Sequence, residues 1–295
     1  MVGYLVPAGA GVSADHAREF LKGLGQTGFI EGQNVTVEYR SYTALADNSV
    51  ADLVRRRVAV IVAGGILPTR AAMAATTMIP IVFAVSEDPV KLGLVASLAR
   101  PGGNATGVNF FSQEVIGKRL GLLHDLVPKA VRIAVLNDPV IGPIAETTLG
   151  SVQEAARIIG LQIRILNAGS IPEIDAAFAT MAQERPDALF VGANGFFQRR
   201  RVQIATLAAR ERIPAAYADR ESVAAGGLMS YGTSFADTFR QIGIYTGTIL
   251  KGTKPADLPV VQSTRFEFVI NLSTARAIGI EVPPQLLAIT DEVIE

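Results

Sequence analysis

The chain has 295 residues, about twice an ordinary domain, so two domains of near 150 residues are expected, each with room for its own core. Hydrophobic residues make up 49% and charged residues 18%, which excludes disorder, and 27 Lys and Arg against 27 Asp and Glu leave no net field to hold a polyanion, which argues against a nucleic-acid partner. The absence of cysteine removes disulfides, thiolate nucleophiles, iron-sulfur clusters and cysteine-based zinc sites.

Met1 to Val6 already reads as a strand, with no charged leader or long apolar run before it, so no signal peptide is expected within this sequence. The longest apolar stretch, Val58 to Leu67, is about half the ~20 residues a helix needs to cross a bilayer. Short β-branched runs then alternate with segments of helical period, the pattern of βαβ crossovers and a parallel sheet. Strands are predicted at Val2 to Val6, Val35 to Tyr39, Val58 to Ala63 and Ile81 to Val85, with helices at Ala14 to Leu24, Ser49 to Arg56 and Thr69 to Thr76. A second set follows, with strands at Arg132 to Asn137, Gln162 to Leu166, Ala188 to Gly192 and Ala215 to Ala218. Its helices are predicted at Ile144 to Ile159, Glu173 to Glu184 and Gln198 to Arg212.

The two series repeat at an offset of about 130 residues, Val2 to Val6 aligning with Arg132 to Leu136 and Ile79-Pro80 with Ile213-Pro214. This self-similarity predicts two α/β, doubly wound, parallel-sheet domains of one kind. After them come a strand at Leu228 to Tyr231, a helix at Phe235 to Leu250, a long strand-like run at Val260 to Asn271 and a short helix at Ser273 to Ile278. A tail added after both units are complete can return to the first and cross back to the second, leaving a cleft between lobes as the favoured ligand location.

No catalytic motif stands out. There is no G-x-S-x-G elbow, no P-loop and no H-E-x-x-H, and the two histidines, His16 and His124, have no metal-ligand neighbours at helical spacing, so catalytic residues, metal and cofactor are all expected to be absent. Gly9 to Ala14 formally satisfies the dinucleotide fingerprint, with Glu38 in the place of the ribose acid, which keeps an NAD(P)-dependent oxidoreductase as an alternative. The triplets Arg55 to Arg57 and Arg199 to Arg201 read as solvated helix faces.

Open parallel sheets bind ligands at the carboxyl ends of their strands. There the first series offers Gly11 and Ser13, then Gly65 and Thr69, then Phe83 and Ser86. The second offers Asn137, then Asn194 with Phe196 and Phe197, then Tyr217, Asp219 and Glu221. Helix N-terminal donors beside aromatic rings suit a small molecule with an apolar body and a charged end. A carboxylate is expected near Thr69 and Ser86, an α-amine at Asp219 or Glu221, and hence an amino acid with a hydrophobic or aromatic side chain, with a simple carboxylate as runner-up.

Asp88-Pro89-Val90, the run Gly93 to Arg100, Pro101-Gly102-Gly103-Asn104-Ala105-Thr106-Gly107, Gly226 to Gly232, Ile249 to Gly252 and Phe268 to Leu272 together resemble the ABC-transporter substrate-binding protein family of the tryptophan/tyrosine type, in order along essentially the whole chain. The resemblance implies a type I periplasmic binding fold with three crossing segments, and a non-enzymatic, exported (periplasmic) receptor that passes its ligand to an ABC permease in the membrane. The expected lobes are residues 1–109 plus 229–260 and 110–228 plus 261–295. Without a heptad seam the receptor is expected to be a monomer. A ligand-sensing regulator of the same fold is the other alternative, and no basic helix-turn-helix precedes Val2.

Overall fold

The computed structural model describes residues 1–7, 14–43, 48–110 and 113–295. The chain divides into two compact units, unit 1 comprising Met1–Phe111 and Phe235–Arg265, unit 2 comprising Ser112–Ser234 and Phe266–Glu295. It passes from one unit to the other three times.

Unit 1 begins with β1 (Val2–Pro7), α1 (Ala14–Gln26), β2 (Val37–Tyr42), α2 (Ser49–Arg55), β3 (Val60–Gly64), α3 (Ile66–Ala75), β4 (Ile81–Val85) and β5 (Ala105–Asn109). Unit 2 takes over with α4 (Gln113–Leu126), β6 (Arg132–Asn137), a turn of 3-10 helix at Pro139–Ile141, α5 (Pro143–Ile159), β7 (Gln162–Asn167), α6 (Ile171–Glu184) and β8 (Ala188–Val191). It continues through α7 (Gly195–Arg199), α8 (Arg201–Arg210), β9 (Ala215–Tyr217), α9 (Arg220–Ala224) and β10 (Met229–Thr233). The chain returns to unit 1 for α10 (Phe235–Leu250) and β11 (Val261–Gln262), then ends in unit 2 with β12 (Phe266–Asn271), α11 (Leu272–Ile278), α12 (Pro284–Ala288) and β13 (Glu292–Ile294).

The strand order of unit 1 is β11-β5-β4-β3-β1-β2, every pairing parallel. Unit 2 runs β13-β12-β10-β9-β8-β6-β7, with the β10–β12 pair antiparallel. Stripped of the late strands, the two orders are the same, β2-β1-β3-β4-β5 and β7-β6-β8-β9-β10, so the repeat read from the sequence is a repeat of topology. In this order the crossovers reverse direction beside β1/β3 and β6/β8, and a ligand crevice opens at the carboxyl side of such a reversal.

Strands in such sheets are buried on both faces and alternate between two cores. In β4, Ile81, Phe83 and Val85 face the layer holding Leu53 and Ala72, while Val82 and Ala84 face the layer holding Phe20, Leu24 and Ile242. Unit 2 is built alike, with Val135, Phe190 and Ala216 packed on α4 and α5 residues, and Leu136, Leu189 and Tyr217 on α6 and α8 residues. On one face of the unit 1 sheet α10 lies against α1 with its backbone close, because Gly23 and Gly243 stand at the contact. A Cβ on Gly243 would come 2.1 Å from the Phe20 carbonyl oxygen.

Three expectations need correction. The run Val260 to Asn271 is two strands in different units: β11 pairs with β5, and β12 pairs with β10. The polar Ser263-Thr264-Arg265 separates them. The second crossing falls after Ser234 and not after Leu228, since β10 hydrogen-bonds to β9 and β12 and belongs to unit 2, and the third falls after Arg265 and not after Val260. The predicted helix Gln198 to Arg212 is broken at Arg200 into α7 and α8, Asn194 capping the first by accepting from the Phe197 N–H at 2.7 Å.

Candidate functional site

At the carboxyl edge of unit 1, Gly11 and Ser13 lie outside the described residues. The next turn is Gly64-Gly65. Gly65 has φ 90°, a left-handed conformation that favours glycine, and it stands as the N-cap of α3 with no side chain closing the helix end. Its own N–H goes to the Ala84 carbonyl at 2.8 Å. Thr69 does not present its hydroxyl there: it is fully buried and donates to the Gly65 carbonyl at 2.7 Å, so any anion contact at this end comes from backbone N–H groups and the helix dipole. Burial raises the pKa of Glu87, and the neighbouring Ser86 hydroxyl acts against that rise. Asn109, at the end of β5, donates to the carbonyls of Val85 (3.1 Å) and Glu87 (2.7 Å) and fixes this turn.

Phe83 is a core residue. It is 0% exposed and packs in the layer of Leu53 and Ala72. The rings at this edge are instead Phe110, directly after β5, with His16 in the first turn of α1 and Phe235 and Phe239 in the first turns of α10. His16 stacks on Phe239 (centroids 4.2 Å apart), and Phe110 meets Phe235 edge-on at 5.6 Å. His16, Phe110, Phe235 and Phe239 are all half-buried. Phe83→Ala is therefore expected to cost roughly 3–5 kcal/mol of stability and to leave the ligand affinity of the folded protein unchanged, which denaturant titration paired with calorimetry reads separately.

In unit 2, Asn137 is buried and donates to the Asn167 side-chain oxygen at 2.9 Å. Asn194 is committed to the cap of α7, and Phe196 is half-buried beside Phe197. Tyr217 turns inward, 2% exposed, its ring against Gly227 and its hydroxyl without a partner among the described residues; it is a core ring, not a stacking surface. Burial raises its pKa.

Asp219 caps α9. Its Oδ1 accepts from both the backbone N–H and the hydroxyl of Ser222, each at 2.9 Å. Burial, reinforced by the neighbouring charge of Glu221, pushes its pKa up to about 6, against the Ser222 bonds and the charge of Arg119. Glu267 lies opposite Gly232 in the β10–β12 register; burial, then Glu221, raises its pKa too. Arg220 is turned away to Glu292, with two contacts of 2.6 and 2.5 Å. The carboxyl edge of unit 2 thus gathers Asp219, Glu221 and Glu267, with the guanidinium of Arg119 behind them. Composition alone missed two of these. Glu267 is brought in by a long-range pairing, and Arg119 reads as one more helix charge in Lys118-Arg119.

The acid of the dinucleotide reading, Glu38, is held by Arg40 and Arg56, and the Gly9 to Ser13 part of its loop lies outside the described residues. Among the described residues no group of three His, Asp or Glu side chains is placed to hold a metal, and no helix is long and apolar enough to cross a membrane.

Two doubly wound sheets of matching order, linked by three passes of the chain, define the type I periplasmic binding fold. Residues 11–294 match the family described as ABC transporter substrate binding protein, and the chain belongs to that family. A protein of Clostridioides difficile (strain R20291) named tyrosine-binding protein is 26% identical over 278 residues, covering 91% of this chain and 78% of that one. Among solved structures, a conserved domain protein of Vibrio cholerae is 25% identical with a TM-score of 0.87, covering 99% of this chain and 98% of that one. A domain from Streptococcus pneumonia in complex with L-Trp is 24% identical with a TM-score of 0.84, covering 99% of each chain.

Proposed function

We propose that this substrate-binding protein is the extracytoplasmic receptor of an ABC importer and that its ligand is an amino acid with an aromatic side chain. The observation that carries the reading is the concentration of Asp219, Glu221 and Glu267 at the carboxyl edge of unit 2, a set of acids suited to an ammonium group. The half-buried rings of Phe110, Phe235 and His16 in unit 1 supply apolar contact, and the uncapped start of α3 at Gly65 supplies N–H donors for a carboxylate. The names of the tyrosine-binding relative and of the L-Trp complex support the same class. The receptor is a monomer that passes its ligand to an ABC permease.

The test is thermal shift and calorimetry against a panel, with mass spectrometry of any ligand carried through purification. L-Tyr, L-Trp and L-Phe are expected to stabilise the protein, by about 2.7 kcal/mol at a hundredfold excess over Kd, with sugars and polyamines silent. Stabilisation by NAD or NADP alone overturns the reading.

A further inference from the structure

The ammonium site described above leaves one buried charge of unit 2 without a task. Arg119 lies midway along α4, 2% exposed, with its guanidinium carbon 4.3 Å from the centroid of the Phe190 ring. The ring satisfies the face of the guanidinium but not its edge, and Nε has no hydrogen-bond partner among the described residues. Burying a cation with an open hydrogen-bonding edge is costly unless a nearby charge compensates it. The charge that acts on it is Asp219, and among the described residues no ion pair joins the two. Burial lowers the guanidinium to about 10, which leaves it charged at neutral pH.

The placement explains why a charge without a contact is useful here. Phe190 is the third of four residues in β8, close to its carboxyl end, and Asp219 stands two residues beyond the end of β9, the neighbouring strand. Arg119, seated over Phe190, is therefore aimed from the α4 layer toward the edge where Asp219 caps α9. Both Ser222 donors go to Oδ1, so Oδ2 carries the remaining acceptor capacity of the carboxylate. A direct Arg–Asp pair would occupy that oxygen.

We propose that Arg119 is a positioning residue of the ammonium site, a buried cation that keeps the Asp219 carboxylate ionised while leaving it open to ligand. This rests on the amine reading above. The groups facing Asp219 are Glu221 and Ser222 on α9, Tyr217 on β9 and Arg119 on α4, and Arg119 is the cation among them; Arg220, next in sequence, is spent on Glu292. Binding an ammonium requires the ionised acid, so affinity rises with pH as Asp219 loses its proton. Removing Arg119 leaves burial and the Glu221 charge opposed by the Ser222 bonds alone, which moves that rise to higher pH.

The test compares wild type, Arg119→Met and Arg119→Gln, two neutral side chains that differ in polarity, so that one folded variant suffices. L-Tyrosine affinity is measured by calorimetry from pH 5 to pH 8.5, and the Asp219 carboxyl is titrated by carbon NMR in the ligand-free proteins. Both midpoints are expected to rise, by up to about one pH unit, so that binding near pH 6 weakens up to about fivefold and recovers toward pH 8.5. The deaminated analogue 3-(4-hydroxyphenyl)propionate is expected to show no such shift. An Asp219 midpoint equal in wild type and variant overturns the proposal, as does a loss of tyrosine binding that is uniform in pH, which would make Arg119 a direct ligand contact. Failure of wild type to bind tyrosine, with the NMR midpoint still shifted, removes the ligand reading and leaves the electrostatic role of Arg119 standing.

Discussion

Asp219→Asn is expected to weaken binding of an aromatic amino acid roughly 10- to 150-fold at pH 7 while leaving the melting temperature nearly unchanged. Asparagine is as good an N-cap as aspartate, so the bond from the Ser222 N–H to Oδ1 survives and α9 keeps its start. What disappears is the negative charge. A hydrogen bond to a charged group contributes about 1.5–3 kcal/mol, and that range sets the fold-change. Because the Asp219 pKa is raised to about 6, most of the carboxylate is ionised at pH 7 and the wild-type contact is nearly complete there. Isothermal titration with L-tyrosine gives the loss, and the same titration with 3-(4-hydroxyphenyl)propionate is the control, since a ligand without an amine has nothing to lose. Equal affinity of both proteins for tyrosine takes Asp219 out of the site and shifts attention to Glu221 and Glu267.

A large fall in stability with a matched control of opposite sign is expected from Gly243→Ala. In α10 this position faces α1 so closely that an added methyl would stand 2.1 Å from the Phe20 carbonyl oxygen and 2.7 Å from the Leu24 nitrogen. Those are backbone atoms inside a helix and cannot swing aside. The helices must separate, which also lifts Ile242 and Ile249 from the layer they share with Phe20 and Leu24. Overpacking of this kind costs about 3 kcal/mol or more. For a unit of this size that corresponds to a fall in Tm of roughly 6–12 °C. Gly25→Ala, on the exposed side of α1 with no atom within 4 Å of the added carbon, is the matched control and is expected to stabilise by roughly 0.5–1 kcal/mol. Two glycines in neighbouring turns of the two helices thus respond with opposite sign. Calorimetric melting of the two variants that shows the same sign removes the close-approach argument.

The alternation of strands and helices was legible because the inner parallel strands are short and mostly apolar, with polar residues near their ends: Ile81–Val85 and Arg132–Asn137 run from end to end as their composition indicates. The position of Asp219 just beyond a strand was legible for the same reason. Which face a strand residue takes was not, since both faces of β4 are apolar and only the register with β3 and β5 turns Phe83 into the core. Phe110, Phe235 and His16 come from three distant parts of the chain, and no local pattern joins them. Glu267 becomes a neighbour of Glu221 only through the antiparallel register of β12 on β10. The split of Val260 to Asn271 was visible in its polar middle, yet hydrophobicity says nothing about which sheet each half enters.

The three passes of the chain also set an order in time. Unit 1 is begun by residues 2–109, but its α10 and its edge strand β11 are contributed by residues 235–262. Until those leave the ribosome, the face of α1 that carries Gly23 has no helix to cover it and β5 has one edge unpaired. Unit 2 is likewise open until β12 at residues 266–271 closes on β10. Neither sheet is complete until residues 261–271 have joined it, so the two units finish their cores nearly together. A substitution that weakens β11 or β12 therefore acts on a sheet whose other strands lie more than a hundred residues earlier or in the preceding stretch of the chain, and its effect is felt at the last step of assembly.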